Sequence, residues 1–196
     1  MKKLFSRILT AAVALVMASS LTSCNYNSIV DKQQATDNAW AQVENQYQRR
    51  ADLIPNLVNT VKGYSQHESE TLEKVTEARA KATSINIDAN DLDEQTLEKF
   101  QQAQGELSQA LGRLLAVTEA YPDLKANENF MNLQTQLEGT ENRIATERKR
   151  YNDVATEYNS TIKKFPTVIY AGWFGFKSKP LFKADAGAQK APEVNF

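Results

Sequence analysis

The chain is short of the residue types that disulfide frameworks, metal centres and nucleophilic triads depend on. Its 196 residues include one cysteine, Cys24, and one histidine, His67. A single cysteine excludes an internal disulfide. A di-iron bundle needs two Glu-x-x-His units, and here no glutamate stands three residues before the only histidine. A Ser-His-Asp triad would rest on that same His67, in a stretch that reads as a solvated inter-helix turn. Walker, Rossmann and H-E-x-x-H strings are absent, so no cofactor or metal ligand set is expected. Basic excess is lacking as well, with 23 Lys and Arg against 24 Asp and Glu. A nucleic-acid partner would want a basic face, so that class is set aside. Glycine (7) and proline (5) are few. Between residues 28 and 165 Ala, Leu, Glu, Gln, Lys and Arg dominate instead, which is a helical composition.

What is present begins with a three-part leader. Lys2, Lys3 and Arg7 precede the apolar run Ile8 to Ala18, the layout of an export signal. Leu21-Thr22-Ser23-Cys24 resembles the lipobox of bacterial lipoproteins, in which the cysteine thiol takes a diacylglyceryl group and the peptide is cut just before it. Cys24 is therefore the expected lipidation site, residues 1–23 the signal peptide, and residues 24–37 a lipidated tether and the start of the first helix. Two or more acyl chains hold a protein stably in a leaflet where one is marginal. The alternatives are an uncleaved transmembrane helix, which needs about 20 apolar residues, and an ordinary signal peptide with an incidental cysteine. Removing residues 1–23 takes away three basic and no acidic side chains, leaving 20 against 24.

Three stretches keep a 3-4 spacing of apolar residues for many turns. The first is Trp40, Val43, Tyr47, Arg50, Ile54, Leu57, Val61 and Tyr64. The second is Leu97, Phe100, Gln104, Leu107, Leu111, Leu114, Thr118 and Tyr121. The third runs Phe130, Leu133, Leu137, Thr140, Ile144, Glu147, Tyr151, Val154 and Tyr158. Such stripes belong to helices that bury a narrow seam. The fold class expected is all-α: an antiparallel up-and-down bundle over residues 38–165, with three to four helices and a long first helix kinked at Pro55. Residues 29–83 read either as one helix or as two divided near Gly63. Asp91 with Glu94 is the expected capping box ahead of Leu97, Pro122 ends that helix, and Asn127 caps the last one. Residues 166–183, rich in aromatics, are expected as an extended segment packed on the bundle or as an exposed patch for a partner or lipid headgroups. Residues 184–196 read as a disordered tail.

Three strings carry a family resemblance: Arg49-Arg50-Ala51-Asp52-Leu53-Ile54-Pro55-Asn56-Leu57-Val58, Glu119-Ala120-Tyr121-Pro122-Asp123-Leu124-Lys125-Ala126-Asn127, and Arg148-Lys149-Arg150-Tyr151-Asn152. With Tyr26-Asn27, Tyr158-Asn159 and Phe165-Pro166 they make residues 25–176 resemble the LemA family of bacterial envelope proteins. The resemblance implies an up-and-down helical bundle outside the cytoplasm and no established enzymatic activity. Family members are held by an N-terminal transmembrane segment, and the lipobox is a departure from that pattern.

Polar residues interrupt the seams at Arg50, Gln104, Thr140 and Glu147. They read as inter-helix hydrogen bonds or ion pairs that set register, or as residues at the seam's edge. Alternatively Arg50, with Asn56, Tyr121, Tyr151 and Asn152, lines a polar groove that grips a peptide or partner helix. Glu138, Glu141 and Glu147 interleave with Arg143, Arg148 and Arg150 at the spacing of helix-surface ion pairs. The function expected is a non-catalytic interaction or scaffold module, membrane-anchored through lipidated Cys24 to the inner or outer membrane, with an envelope protein or peptide as partner. An enzyme or accessory subunit of an envelope enzyme, and self-assembly through the long helices, are the competing readings.

Overall fold

A computed structural model describes residues 2–64, 68–89 and 91–183, with side chains from Tyr26 onward. The leader's side chains, the Cys24 thiol, His67 and the tail from residue 184 lie outside the described residues. The helices are α1 (Lys2–Lys62), α2 (Ser69–Ser84), α3 (Glu94–Thr118), α4 (Pro122–Lys125), α5 (Glu128–Lys163) and α6 (Thr167–Trp173). Residues 29–83 thus form two helices, parted after Lys62 by Gly63 and Tyr64.

The long pair α1 and α5 runs antiparallel through most of its length. Lys32 pairs with Glu157, the Trp40 ring meets that of Tyr151 at 5.7 Å, and Arg50 pairs with Glu141. Helices α2 and α3 pack beside this pair and complete a four-helix layer, with Leu124 of α4 plugging its end. The core falls into two main clusters along the axis. Ile54, Leu57, Val61, Val75, Leu107 and Leu114 make an aliphatic cluster. Trp40, Tyr47, Phe100, Tyr151 and Phe182 make an aromatic one. A third, smaller cluster of Ile29, Tyr158, Ile162, Tyr170 and Ala171 lies at the end nearest the leader. Helices α2 and α3 give no residue to that third cluster. The C-terminal residues from Tyr170 onward cover α1 and α5 there instead.

Local chemistry places the helix ends. Asp93, not Asp91, caps α3: its carboxylate accepts from Thr96 N while the Thr96 hydroxyl accepts from Asp93 N. The start is displaced from the expected Asp91 because Leu92 is buried just before the cap and shares the aromatic cluster with Leu97, a hydrophobic staple that sets the entry of the chain. Asn127 caps α5 by accepting from Phe130 N. Residues 26–37 belong to the start of α1, with Ile29 and Thr36 buried. One expectation is corrected near the C-terminus: residues 167–173 are helical rather than extended, and the extended run is confined to residues 176–183. The glycine at 175 ends α6, adopting φ 76° so that Phe176 N–H reaches Ala171 O and Gly175 N–H reaches Gly172 O. That pair of bonds is a Schellman motif, which favours glycine at its left-handed position.

Pro55 lies within α1, and the helix continues through it. A proline there leaves the carbonyl four residues earlier without its helix donor. That carbonyl belongs to buried Ala51, and Arg79 of α2 donates its Nε–H to it at 2.7 Å. A neighbouring helix thereby satisfies a backbone defect written into the first one.

Candidate functional site

The polar face of α5 in its C-terminal half grips an extended peptide, and the peptide is the chain's own C-terminal segment. Asn159 takes both backbone groups of Lys179, its Oδ1 accepting from the amide at 2.8 Å and its Nδ2 donating to the carbonyl at 2.8 Å. Asn152 does the same for Phe182, at 2.9 Å and 3.0 Å. Seven residues along a helix span about 10.5 Å, and three residues of extended chain span about 10 Å. The two asparagines therefore match the repeat of the strap they hold. Between them the Tyr151 hydroxyl donates to Pro180 O at 2.9 Å, and Arg148 and Gln101 both donate to Lys183 O. Burial, and after it the Asp37 charge, pushes the Tyr151 hydroxyl far above the ordinary tyrosine range, so it stays a donor.

Side chains complete the clasp. Phe182 stacks on Trp40 at 5.9 Å and meets Tyr151 edge-on at 5.5 Å, while the Arg148 guanidinium sits 4.9 Å from its ring centroid. Lys179 is 8% exposed, and its ammonium donates to Asp37 of α1 at 2.9 Å and to Ala89 O in the α2–α3 connection at 2.5 Å. One strap thus ties α1, α5 and the α2–α3 loop together.

Arg50 occupies a polar layer between the two main clusters. It is 2% exposed. Nη1 donates to Ser108 Oγ and Glu141 Oε2, both at 2.8 Å, and Nη2 donates to Gln104 Oε1 at 2.7 Å and Gln104 O at 3.2 Å. Gln104 in turn donates to Ala82 O of α2. Three helices therefore meet at one guanidinium and Gln104 links a fourth, an arrangement suited to setting register. Thr140 bonds back to Gln136 O in its own helix. Glu147 is a seam-edge residue, its side chain 22% exposed and 3.7 Å from Arg150.

The five residues expected to line one groove do not come together. Arg50 is enclosed in the core, and Asn56 is exposed on α1. Tyr121 donates to Glu68 at the end far from the leader, where Asn127 also donates to the Tyr64 hydroxyl. Only Tyr151 and Asn152 share a surface, the one filled by the strap. Asn159 and Lys179 complete that site; the Tyr-Asn pair at 158–159 repeats the one at 151–152 seven residues on, and this repeat was the readable signal. The expected surface ion pairs of α5 are partly replaced, since Glu141 reaches Arg50 across the bundle and Glu138 accepts from Gln134. Among the described residues no group of three or more His, Cys, Asp or Glu could hold a metal ion. No helix among them is long and apolar enough to cross a membrane.

The chain is similar in sequence to several known proteins. Protein LemA of Metamycoplasma hominis is 27% identical over 158 residues, covering 81% of this chain and 68% of that protein. Magnetosome protein MamQ 2 of Paramagnetospirillum magneticum is 31% identical over 175 residues, covering 81% of this chain and 64% of its own length. Magnetosome protein MamQ of Magnetospirillum gryphiswaldense is 38% identical over 80 residues, 41% of this chain and 29% of that protein. The chain thus spans about two thirds or less of the length of these relatives. The sequence model of the LemA family matches residues 39–196, and the chain belongs to that family.

Proposed function

We propose that the protein is a membrane-anchored scaffold or interaction module of the cell envelope, without catalysis, and that Cys24 carries its lipid. Membership of the LemA family supports an envelope-associated protein, and the leader with its lipobox supports the anchor. The observation that carries the reading is the use made of the polar side chains. Arg50, Gln104, Tyr151, Asn152, Asn159 and Lys179 are all engaged in holding helices and strap together. Groups spent in this way build a stiff body rather than a reactive centre.

The shape suits a spacer. From Tyr26 to Lys62 the helix α1 has 37 residues, about 55 Å at 1.5 Å per residue. The leader joins one end of this rod, and the turns around Tyr64 and Tyr121 lie at the other. A partner, an envelope protein or peptide, would meet the sides or the far end. In-cell crosslinking, pull-down and mass spectrometry would identify it. Labelling with palmitate tests the anchor: the labelled band should vanish in Cys24→Ala, and a labelled Cys24→Ala protein overturns lipidation at that residue. An unlabelled wild-type chain that stays full-length in the membrane would instead be held by its leader as a transmembrane helix.

A further inference from the structure

We propose that the outer face of α6, with Phe165, Phe174 and Tyr26 beside it, is a lipid-contacting surface lying in the headgroup region of the bilayer that holds the anchor. This rests on the membrane-anchored reading above. Helix α6 is two-sided. Thr167, Tyr170 and Ala171 are buried, the latter two against Ile29, Tyr158 and Ile162. Facing away, Val168 and Ile169 are about half exposed (48% and 49%) and Trp173 is 83% exposed. Phe165 at 82% and Phe174 at 62% flank them. A cluster of exposed apolar side chains of this kind on a folded body marks a contact with something else.

Position selects the lipid. The Tyr26 ring meets Phe174 at 5.0 Å and Phe176 at 5.8 Å. Tyr26 follows Cys24 by two helical residues, about 3 Å along the axis. The helix α1 runs without a break through both residues, so whatever Cys24 is fixed in, the aromatic face is held close to it. Charge points the same way. From Tyr158 to Lys183 there are five lysines and no acid, in a chain that is net acidic. Lys179 and Lys183 pair with Asp37 and Glu94, while Lys163, Lys164 and Lys177 flank α6 on the exposed surface. Aromatic rings backed by lysines suit the boundary of acyl chains and anionic headgroups. A seven-residue helix is too short to span, so the contact is interfacial.

Tryptophan fluorescence reads this directly, because Trp40 is 1% exposed and Trp173 is the other of the chain's two tryptophans. The full chain is reconstituted into phosphatidylethanolamine–phosphatidylglycerol vesicles, with and without lipids brominated at shallow acyl positions, and floated on a density gradient. Floated wild type should be quenched by the brominated lipid and shielded from aqueous acrylamide. Trp173→Phe, a change at an exposed position, should float equally and lose most of the bromolipid quenching. Quenching of the wild type should weaken as the phosphatidylglycerol content is lowered, and replacing Lys163, Lys164 and Lys177 by Gln should weaken it at high phosphatidylglycerol and remove most of that dependence. Protein that floats while Trp173 stays open to acrylamide overturns the lipid contact and leaves the anchor standing. Protein that fails to float overturns the anchor and this inference with it. Shielding that rises with protein-to-lipid ratio without bromolipid quenching assigns the face to a second copy. Shielding found only in native membranes assigns it to a protein partner. Either of these last results overturns the lipid contact.

Discussion

Arg79 and Pro55 should be energetically coupled, although neither side chain needs to touch the other. Pro55 denies the Ala51 carbonyl its helical donor, and the Arg79 guanidinium supplies a substitute at 2.7 Å. Removing that donor by Arg79→Ala leaves a buried carbonyl without a partner. Hydrogen bonds to charged groups contribute about 1.5–3 kcal/mol, and the exchange should cost about that much. In a Pro55→Ala background residue 55 has an N–H that can bond Ala51 within the helix. The carbonyl is then satisfied locally, and Arg79→Ala should cost only about 0.5–1 kcal/mol for lost packing of its stem. The coupling free energy of the four-protein cycle is therefore about 1–2 kcal/mol, above the 0.3–0.5 kcal/mol scatter of independent sites. Urea unfolding of the chain from residue 25, followed by far-ultraviolet circular dichroism, measures it. In thermal melts each kcal/mol corresponds to about 2–4 °C for a domain of this size. The cycle cancels whatever Pro55→Ala does by itself to the course of α1. An equal cost of Arg79→Ala in both backgrounds would refute the reasoning, because Arg79 would then be holding something other than the orphaned carbonyl.

The strap offers a second test: in Asn152→Ala the Phe182 amide loses its acceptor and should exchange with deuterium at least tenfold faster, the equivalent of about 1.4 kcal/mol. Asn152→Asp keeps an acceptor for that N–H and should protect it better than alanine does; indistinguishable exchange in all three proteins would mean that apolar contacts alone seat the strap. Arg50→Ala should destabilise by about 2–5 kcal/mol, since it empties a buried side-chain volume and takes the guanidinium donor from buried Gln104, whereas Arg50→Met refills the volume and should recover much of that loss. An Arg50→Ala protein with a wild-type urea midpoint would contradict the register role. Acid should destabilise in a defined direction. Hydrogen bonds from Thr96, Lys183, Lys81 and Lys32 hold Asp93, Glu94, Glu106 and Glu157 below their ordinary values of 3.8 and 4.5. Their stabilisation is thus complete above those values and is lost as pH falls through the lowered ones. Glu44, raised by burial, acts in the opposite sense, its contribution present at low pH and lost as pH rises through its raised value. A urea midpoint that climbs as pH drops below 4.5 would show that the four lowered carboxyls do not govern the acid limb.

Much of this molecule is settled by its sequence alone. Seam residues such as Trp40, Leu107 and Tyr151 recur every three or four positions, and a helix offers one face to that period whatever its neighbours are. Composition and the single cysteine and histidine are likewise properties of the chain. Local chemistry was legible to within a turn: Asn127 caps where its side chain suggested, while the α3 cap moved to Asp93 because the burial of Leu92, a tertiary fact, sets where the chain enters. The remaining features depend on which helices meet. Whether Arg50 lines a groove or fills a core turns on Gln104, Ser108 and Glu141 arriving from two other helices. Asn152 reads in sequence as a candidate for gripping a partner peptide, whereas in the structure both its bonds go to Phe182, 30 residues on in the same chain. Pro55 announces a broken hydrogen bond, and only the packing of α2 against α1 brings Arg79 to mend it. The periodicity of a helix is a one-dimensional property, readable from spacing; the partner of each buried polar group is a three-dimensional one, decided when the desolvated groups of separate elements must find each other.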